Sequence, residues 1–500
     1  MGLTLDDPHK PRDSLTVTDN RTGKTVDIPI SRNSVPATAF KKLSLAKARE
    51  GQDRPEDEVE SGLRVFDAGY QNTAVVQSAI TFIDGEAGVL RHRGYPIEQL
   101  ADKSTFLETA YLLLYGELPT SAQYKLFSRE VMHHTFVHRD MADIVASFRF
   151  DSHPMAILTA SFAALGAYSP EGNPALAGQK IYTAPTDAAL RLLDKQIFRL
   201  IGKSITLAAM AYRMRQGRQF VPPPAGMGYA ESFLYMMDHL NEGSEYRPHP
   251  TVAKALDTLF LLHADHEMNA SCAAVLQVGS TLVDPYSAVS AGCAALYGPS
   301  HGGANEAVIR MLVDIGLPDN VPAFIERVKQ KEAVLSGFGH RVYVATDPRS
   351  KIIQKIAEDV FALTGKDPLL DTALALRDAA LQDNYFISRR LYPNVDFFSG
   401  LIYRVLGFPT DFFPVLFAVP RVVGWLAHWR QMMLAGTAAV KIWRPRQVYV
   451  GEGERNYVGM KERGEEGGQQ GKKKKERGSE PSKVHHPTST RVFLARESKL

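Results

Sequence analysis

The sequence predicts a mainly α-helical fold on three observations. Beyond Pro96, apolar residues recur at helical spacing almost without a break. Period-two runs of β-forming residues are confined to short stretches ahead of that point. Pro and Gly punctuate the helical segments at intervals that suit a globular protein rather than a coiled coil. With 500 residues, 44% hydrophobic and 23% charged, the chain has material for one large or two moderate cores.

In chain order, LTVTDNRTGKTVDIPI (Leu15 to Ile30) holds two β-rich stretches around Asn20 to Lys24, which predicts a small hairpin, and a polar connector follows. The run AVVQSAITFIDGEAGVLRHRG from Ala74 predicts two more short strands. After Thr186, TDAALRLLDKQIFRLIGKSITLAAMAYRMRQG predicts a long amphipathic helix, and Val252, Leu256, Leu259 and Phe260 fall on one face of another. No repeat of fixed period is visible, so a solenoid is not expected. From Lys461 to Leu500 there are 11 Lys and Arg against 6 Asp and Glu, a charge of +5, so the +3 of the whole chain leaves −2 for the other 460 residues. This stretch is low-complexity and highly charged, and is read as a disordered basic tail over 460–500.

A near-neutral body argues against nucleic-acid binding as the main function. The apolar runs, such as LDTLFLLHAD from Leu256, fall short of the roughly 20 residues that span a bilayer, so no membrane association is expected. With only Cys272 and Cys293, both in apolar surroundings, a disulfide framework is excluded and a reduced compartment is expected. MGLTLDDPHK carries no secretory or mitochondrial presequence pattern, whereas Ser498-Lys499-Leu500 matches the address read by the peroxisomal import receptor.

Four clusters at predicted helix ends or loops could carry chemistry. LHADHEMNAS brings together His263, Asp265, His266 and Glu267; two histidines three apart could share a face as metal ligands, or the cluster is a polar helix terminus. In YGPSHGGANEAV, glycines flank His301 ahead of a helix, which suits a neutral histidine donating a hydrogen bond, or a plain turn. SGFGHRVYVATDPRS packs Gly337, Gly339, His340, Arg341, Asp347 and Arg349 into an anion-binding pattern without a Walker lysine or dinucleotide spacing. In LYPNVDFFSG, Asp396 lies among Val395, Phe397 and Phe398, where desolvation would raise its pKa toward that of a general base; the alternative is a helix cap.

In this order the clusters resemble the citrate synthase family, and the likeness runs from about Val65 to Gly451. The segments that carry it are FDAGY, ITFIDGEAGVLRHRGYPIEQLA, DSHPMAI, LHADHE, GPSHGGANEA, GFGHRV with TDPR, LYPNVDF, FAVPRVVGWLAHW and RPRQVYVG, most similar to the bacterial-like branch that includes peroxisomal forms. The resemblance implies the citrate synthase fold, with an N-terminal segment over 1–66, a large helical domain over 67–300, a smaller mobile domain over 301–416, a return to the large domain over 417–459, and the tail. It implies that Asp396 removes a methyl proton from acetyl-CoA and that His301 hydrogen-bonds the thioester oxygen. His340 would polarise the ketone of oxaloacetate, whose carboxylates would be held by His266, Arg349, Arg421 and Arg444 of a neighbouring subunit. Gly337, Phe338, Gly339 and Arg341 would meet CoA. A homodimer or higher assembly is expected, with no metal or other cofactor. Two departures stand out: Ser300 where a larger or apolar residue is usual, and Val344 where the family places Lys or Arg facing CoA. A 2-methylcitrate synthase, using propionyl-CoA on the same machinery, is a competing expectation, because one methylene is worth only about 1–3 kcal/mol.

Overall fold

The computed structural model describes residues 13–43, 62–240, 246–339, 343, 345, 347–365, 367–460 and 463. It is 57% helix with few strands. The chain divides into two compact units, Met1–Thr73 with Arg446–Leu500, and Ala74–Pro445.

In the first unit, β1 (Ser14–Asp19) and β2 (Lys24–Pro29) pair antiparallel, with Leu15 opposite Ile28 and Val17 opposite Val26. Gly23 closes the turn at a φ of +68°, donating its N–H to the Asp19 carbonyl. Val26 and Ile28 alternate inward and meet Ala39 and Leu43 in a small core.

The second unit opens with a three-stranded antiparallel sheet, β3 (Thr81–Asp84), β4 (Val89–His92) and β5 (Tyr95–Pro96). Helices then dominate. Among them are α1 (Phe106–Tyr115), α2 (Asp187–Arg215), α3 (Pro250–His263), α4 (Ala270–Gly279) and α5 (Pro285–Tyr297). Four more follow: α6 (Ala304–Ile315), α7 (Pro348–Thr364), α8 (Val395–Val405) and α9 (Phe413–Leu434). Thr186 caps α2 by accepting the Ala189 N–H at 3.2 Å. On α3, Leu256, Leu259 and Phe260 are buried and Val252 partly so, on the face that the spacing assigns.

The hub is α9, which contacts α1, α2, α3, α4 and α5. By length and composition it could cross a membrane, but its apolar window is wholly buried inside the protein, so here it is a core helix. The sequence reading missed this run because Arg421, His428 and Arg430 interrupt it; two of the three are themselves buried. Pro420 lies inside α9 and has no N–H to give to the carbonyl one turn back. The next residue, Arg421, is the one whose side chain enters the site.

Candidate active site

The chain leaves α3 at His263 and turns through Glu267, whose φ is +54°, before α4 begins. The helix end separates the two histidines, since His263 is the last residue of α3 and His266 lies beyond it. His263 Nδ1–H donates to the Leu259 carbonyl at 2.7 Å, whereas His266 Nε2 lies 3.3 Å from the Tyr343 hydroxyl. They therefore do not form the same-face pair that their spacing allowed.

His301 precedes α6, with its N–H on the Gly298 carbonyl. Its Nε2 lies 3.0 Å from the Ser271 hydroxyl and accepts the Ser271 backbone N–H at 3.4 Å. Trp425 Nε1–H of α9 donates to the same hydroxyl at 3.0 Å. An Nε2 that accepts leaves the proton on Nδ1, so the ring is a neutral donor on its other side. Burial, with Arg421 adding to it, pulls the pKa down to about 4. The neutral state expected from the sequence thus has burial as its main cause, rather than the helix terminus.

Arg349 and Arg421 are both buried. Asp347 caps α7 and holds Arg349 by a two-pronged ion pair, Nε to Oδ1 at 3.0 Å and Nη2 to Oδ2 at 2.7 Å. Although burial opposes the charge of Arg349, Asp347 outweighs it and raises the pKa. Arg421 gives Nε–H to the His263 carbonyl at 2.8 Å and lies over the Phe417 ring, 4.6 Å from its centroid. Burial lowers its pKa to about 10, which leaves it charged at neutral pH.

Asp396 stands in the first turn of α8, whose cap is Asn394. Burial raises its carboxyl to about 6, against the pull of Arg349 on α7 and Arg421 on α9. The glycine loop is stitched to this helix start. Gly339 N–H donates to the Tyr392 carbonyl at 2.8 Å and Asn394 N–H to the Gly337 carbonyl at 2.9 Å, around a bridge between Phe338 and Pro393. Gly337 and Gly339 have φ values of +78° and +76°, and the Phe338 ring packs edge-on against Phe397 at 4.8 Å.

Arg444 is solvent-exposed on a segment fixed by Trp443, whose N–H donates to Ser280 Oγ at 3.0 Å; its own chain does not gather it with the others. His340, Arg341, Val344 and Ser498-Lys499-Leu500 lie outside the described residues. Sequence reading missed Thr81, Ser271, Tyr343 and His428, which touch site histidines or Asp265, and Trp425, which holds Ser271, all through long-range folding.

A carboxylate of raised pKa, a neutral histidine and two buried arginines make acid–base machinery for an anionic substrate. Comparison with known proteins gives it a family. Residues 69–446 match the family described as "Citrate synthase, C-terminal domain". A "Citrate synthase, peroxisomal" of Dictyostelium discoideum is 51% identical over 90% of this chain and 87% of its own length. A "Citrate synthase, glyoxysomal" of Cucurbita maxima is 48% identical over 91% and 85%. Among solved structures, a citrate synthase of Thermoplasma acidophilum in a ternary complex with carboxymethyl coenzyme A and oxaloacetate is 31% identical, with a TM-score of 0.69, covering 78% of this chain and 98% of its own. The chain belongs to the citrate synthase family.

Proposed function

We infer that the chain condenses acetyl-CoA with oxaloacetate and water to give citrate and CoA, and that the gathered residues divide the work as follows. Asp396 takes a proton from the thioester methyl group. His301 donates a hydrogen bond from Nδ1 to the thioester oxygen, so that the intermediate is an enol in its hydrogen-bonded enolate form, its charge stabilised by a neutral donor that keeps its proton. The enolate carbon attacks the ketone of oxaloacetate, polarised by His340, the thioester carbonyl re-forms, and the new alkoxide takes up a proton. Water then splits the citryl thioester and releases CoA as thiol. No electrons are exchanged and water is the only co-reactant, so no cofactor is invoked.

Arg349, Arg421, His266 and, from a neighbouring subunit, Arg444 hold the carboxylates of oxaloacetate, with Gly337, Phe338, Gly339 and Arg341 against CoA. The sharing of Arg444 makes a dimer the smallest active unit. The division into a large domain over 67–300 and 417–459 and a mobile domain over 301–416 lets closure exclude water until condensation. The names of the Dictyostelium and Cucurbita relatives, together with the Ser498-Lys499-Leu500 match, support a peroxisomal location.

The observation that carries the reading is the family match over residues 69–446, within which Asp396 opens α8 and Arg349 and Arg421 are buried. The test is release of CoA thiol in the presence of oxaloacetate, with acetyl-CoA and propionyl-CoA compared, for the wild type and Asp396→Asn. Turnover of acetyl-CoA that falls at least a hundredfold in the variant, with oxaloacetate binding kept, is the expected result. A variant that keeps a third of wild-type turnover excludes Asp396 as the base.

A further inference from the structure

Behind the oxaloacetate residues lies a buried polar chain that the reaction itself does not use. Asp265 is fully buried between His266 and the core. Its Oδ2 accepts the Thr81 hydroxyl at 2.5 Å and the Glu267 N–H at 3.2 Å, and lies 3.4 Å from His428 Nε2 of α9. The Thr81 hydroxyl also lies 2.9 Å from His92 Nδ1, its cross-strand neighbour on β4. Because that hydroxyl gives its only proton to the carboxylate, His92 must be the donor, with its proton on Nδ1. The chain therefore runs one way, from His92 to Thr81 to Asp265, with His428 entering from the other side.

The same short turn is fixed to α9 by two carbonyls. Ala264 accepts the Gly424 N–H at 3.1 Å, and His263 accepts Arg421 Nε–H at 2.8 Å. The approach is close enough that a Cβ on Gly424 would overlap both the Ala264 oxygen and Asp265 Oδ1. One carboxylate thus ties the sheet, the turn that carries His266 and the helix that carries Arg421. The buried Asp265 carboxylate also favours the charged form of Arg421, against the burial that lowers its pKa, while Arg421 Nε–H goes to a backbone carbonyl.

We propose that Asp265, locked by Thr81 and His428, is a positioning residue for oxaloacetate, setting His266 and Arg421 in register before substrate arrives. The proposal rests on the reading that His266 and Arg421 hold oxaloacetate. Loss of the lock would allow the turn to shift on α9. The cost should then appear in binding of oxaloacetate, while the proton transfer at Asp396, once both substrates are seated, continues.

The test measures oxaloacetate binding calorimetrically on the full-length protein without CoA, alongside steady-state kinetics, for Asp265→Asn, Thr81→Val, Thr81→Ser and Arg421→Leu. Asp265→Asn should weaken oxaloacetate binding at least tenfold and lower kcat less than threefold. Thr81→Val, which keeps shape and removes only the hydroxyl, should weaken binding about three- to tenfold, and Thr81→Ser should restore it. A merely structural role would lower folded yield and melting temperature without changing the oxaloacetate affinity of the folded fraction. If Asp265→Asn does not fold, the Thr81 pair decides alone. Normal oxaloacetate affinity in Thr81→Val overturns the proposal when Arg421→Leu has lost binding; if Arg421→Leu binds normally, the substrate assignment itself has failed.

Discussion

Asn394 joins the glycine loop to the catalytic helix: its Nδ2 donates to the Gly339 carbonyl at 3.0 Å, while its Oδ1 accepts the Asp396 N–H at 3.0 Å. One side chain thus caps α8 and fixes the loop that precedes His340. Asn394→Ala removes both bonds. The lost cap costs about 0.5–2 kcal/mol of stability, and the loosened loop should raise KM for acetyl-CoA and lower kcat together. Asn394→Asp retains the acceptor but sets an oxygen against the Gly339 carbonyl, so it should keep most of the melting temperature and still lose activity. Thermal denaturation and kinetics on both variants check this; equal activity in Asn394→Asp and wild type would show that the Gly339 bond does not matter.

Gly337 is restricted twice. Its φ is +78°, and a Cβ there would lie 2.5 Å from Val308 Cγ2 and 3.1 Å from Phe397 Cδ2. Gly337→Ala should therefore destabilise the protein by about 2–4 kcal/mol. Because Phe397 follows Asp396, the displacement should also lower kcat. Denaturant titration gives the first figure; a loss below about 0.5 kcal/mol would mean that the loop adapts freely.

The helical class, the N-terminal hairpin, two of the three strands that follow it and the four clusters were legible because each depends on local signals: periodicity, turn residues, and glycines next to charged side chains. The contacts that orient these clusters were not. Trp425 reaches Ser271 across 154 positions and Thr81 reaches Asp265 across 184, and neither pair leaves a local pattern. The burial of α9 was hidden for a related reason. A run broken by Arg421 and His428 reads as interrupted, although in the fold both find buried partners, the His263 carbonyl and Asp265. The spacing of His263 and His266 allows a shared helical face, and the helix end at His263, which no local signal marks, places His266 beyond it with a different partner.

The exposure of Arg444 makes subunit sharing testable by mixing. Arg444→Ala and Asp396→Asn subunits should each be nearly inactive alone. In a mixed dimer, the subunit with intact Asp396 receives Arg444 from its neighbour, so one site in two is complete. Co-refolded mixtures should regain about a quarter of wild-type activity if subunits pair at random, since half of the dimers are mixed and each has one working site of two. Proven exchange without any recovery would show that Arg444 serves its own chain or no site.

The raised pKa of Asp396 predicts opposite trends for activity and stability. Activity needs the ionised carboxylate, so kcat/KM for acetyl-CoA should rise with pH through about 6 and level off above it. His301, with its pKa at about 4, does not contribute to this limb. Stability moves the other way. The folded carboxyl titrates at about 6 and the unfolded one at its ordinary 3.8, so between these values the folded state binds more protons. The contribution of Asp396 to stability is therefore lost as pH rises through that window, and the full penalty persists at neutral pH. Asp396→Asn, with no charge to bury, should melt at a higher temperature than wild type at neutral pH, and the gap should close as pH falls toward about 4. Taking the difference between the two proteins cancels the opposing effect of His301, whose lowered pKa removes stability as pH falls. A variant no more stable than wild type at neutral pH would show that burial of the Asp396 charge is fully offset by Arg349 and Arg421. An acid limb centred well below about 5 would show the same offset in the activity.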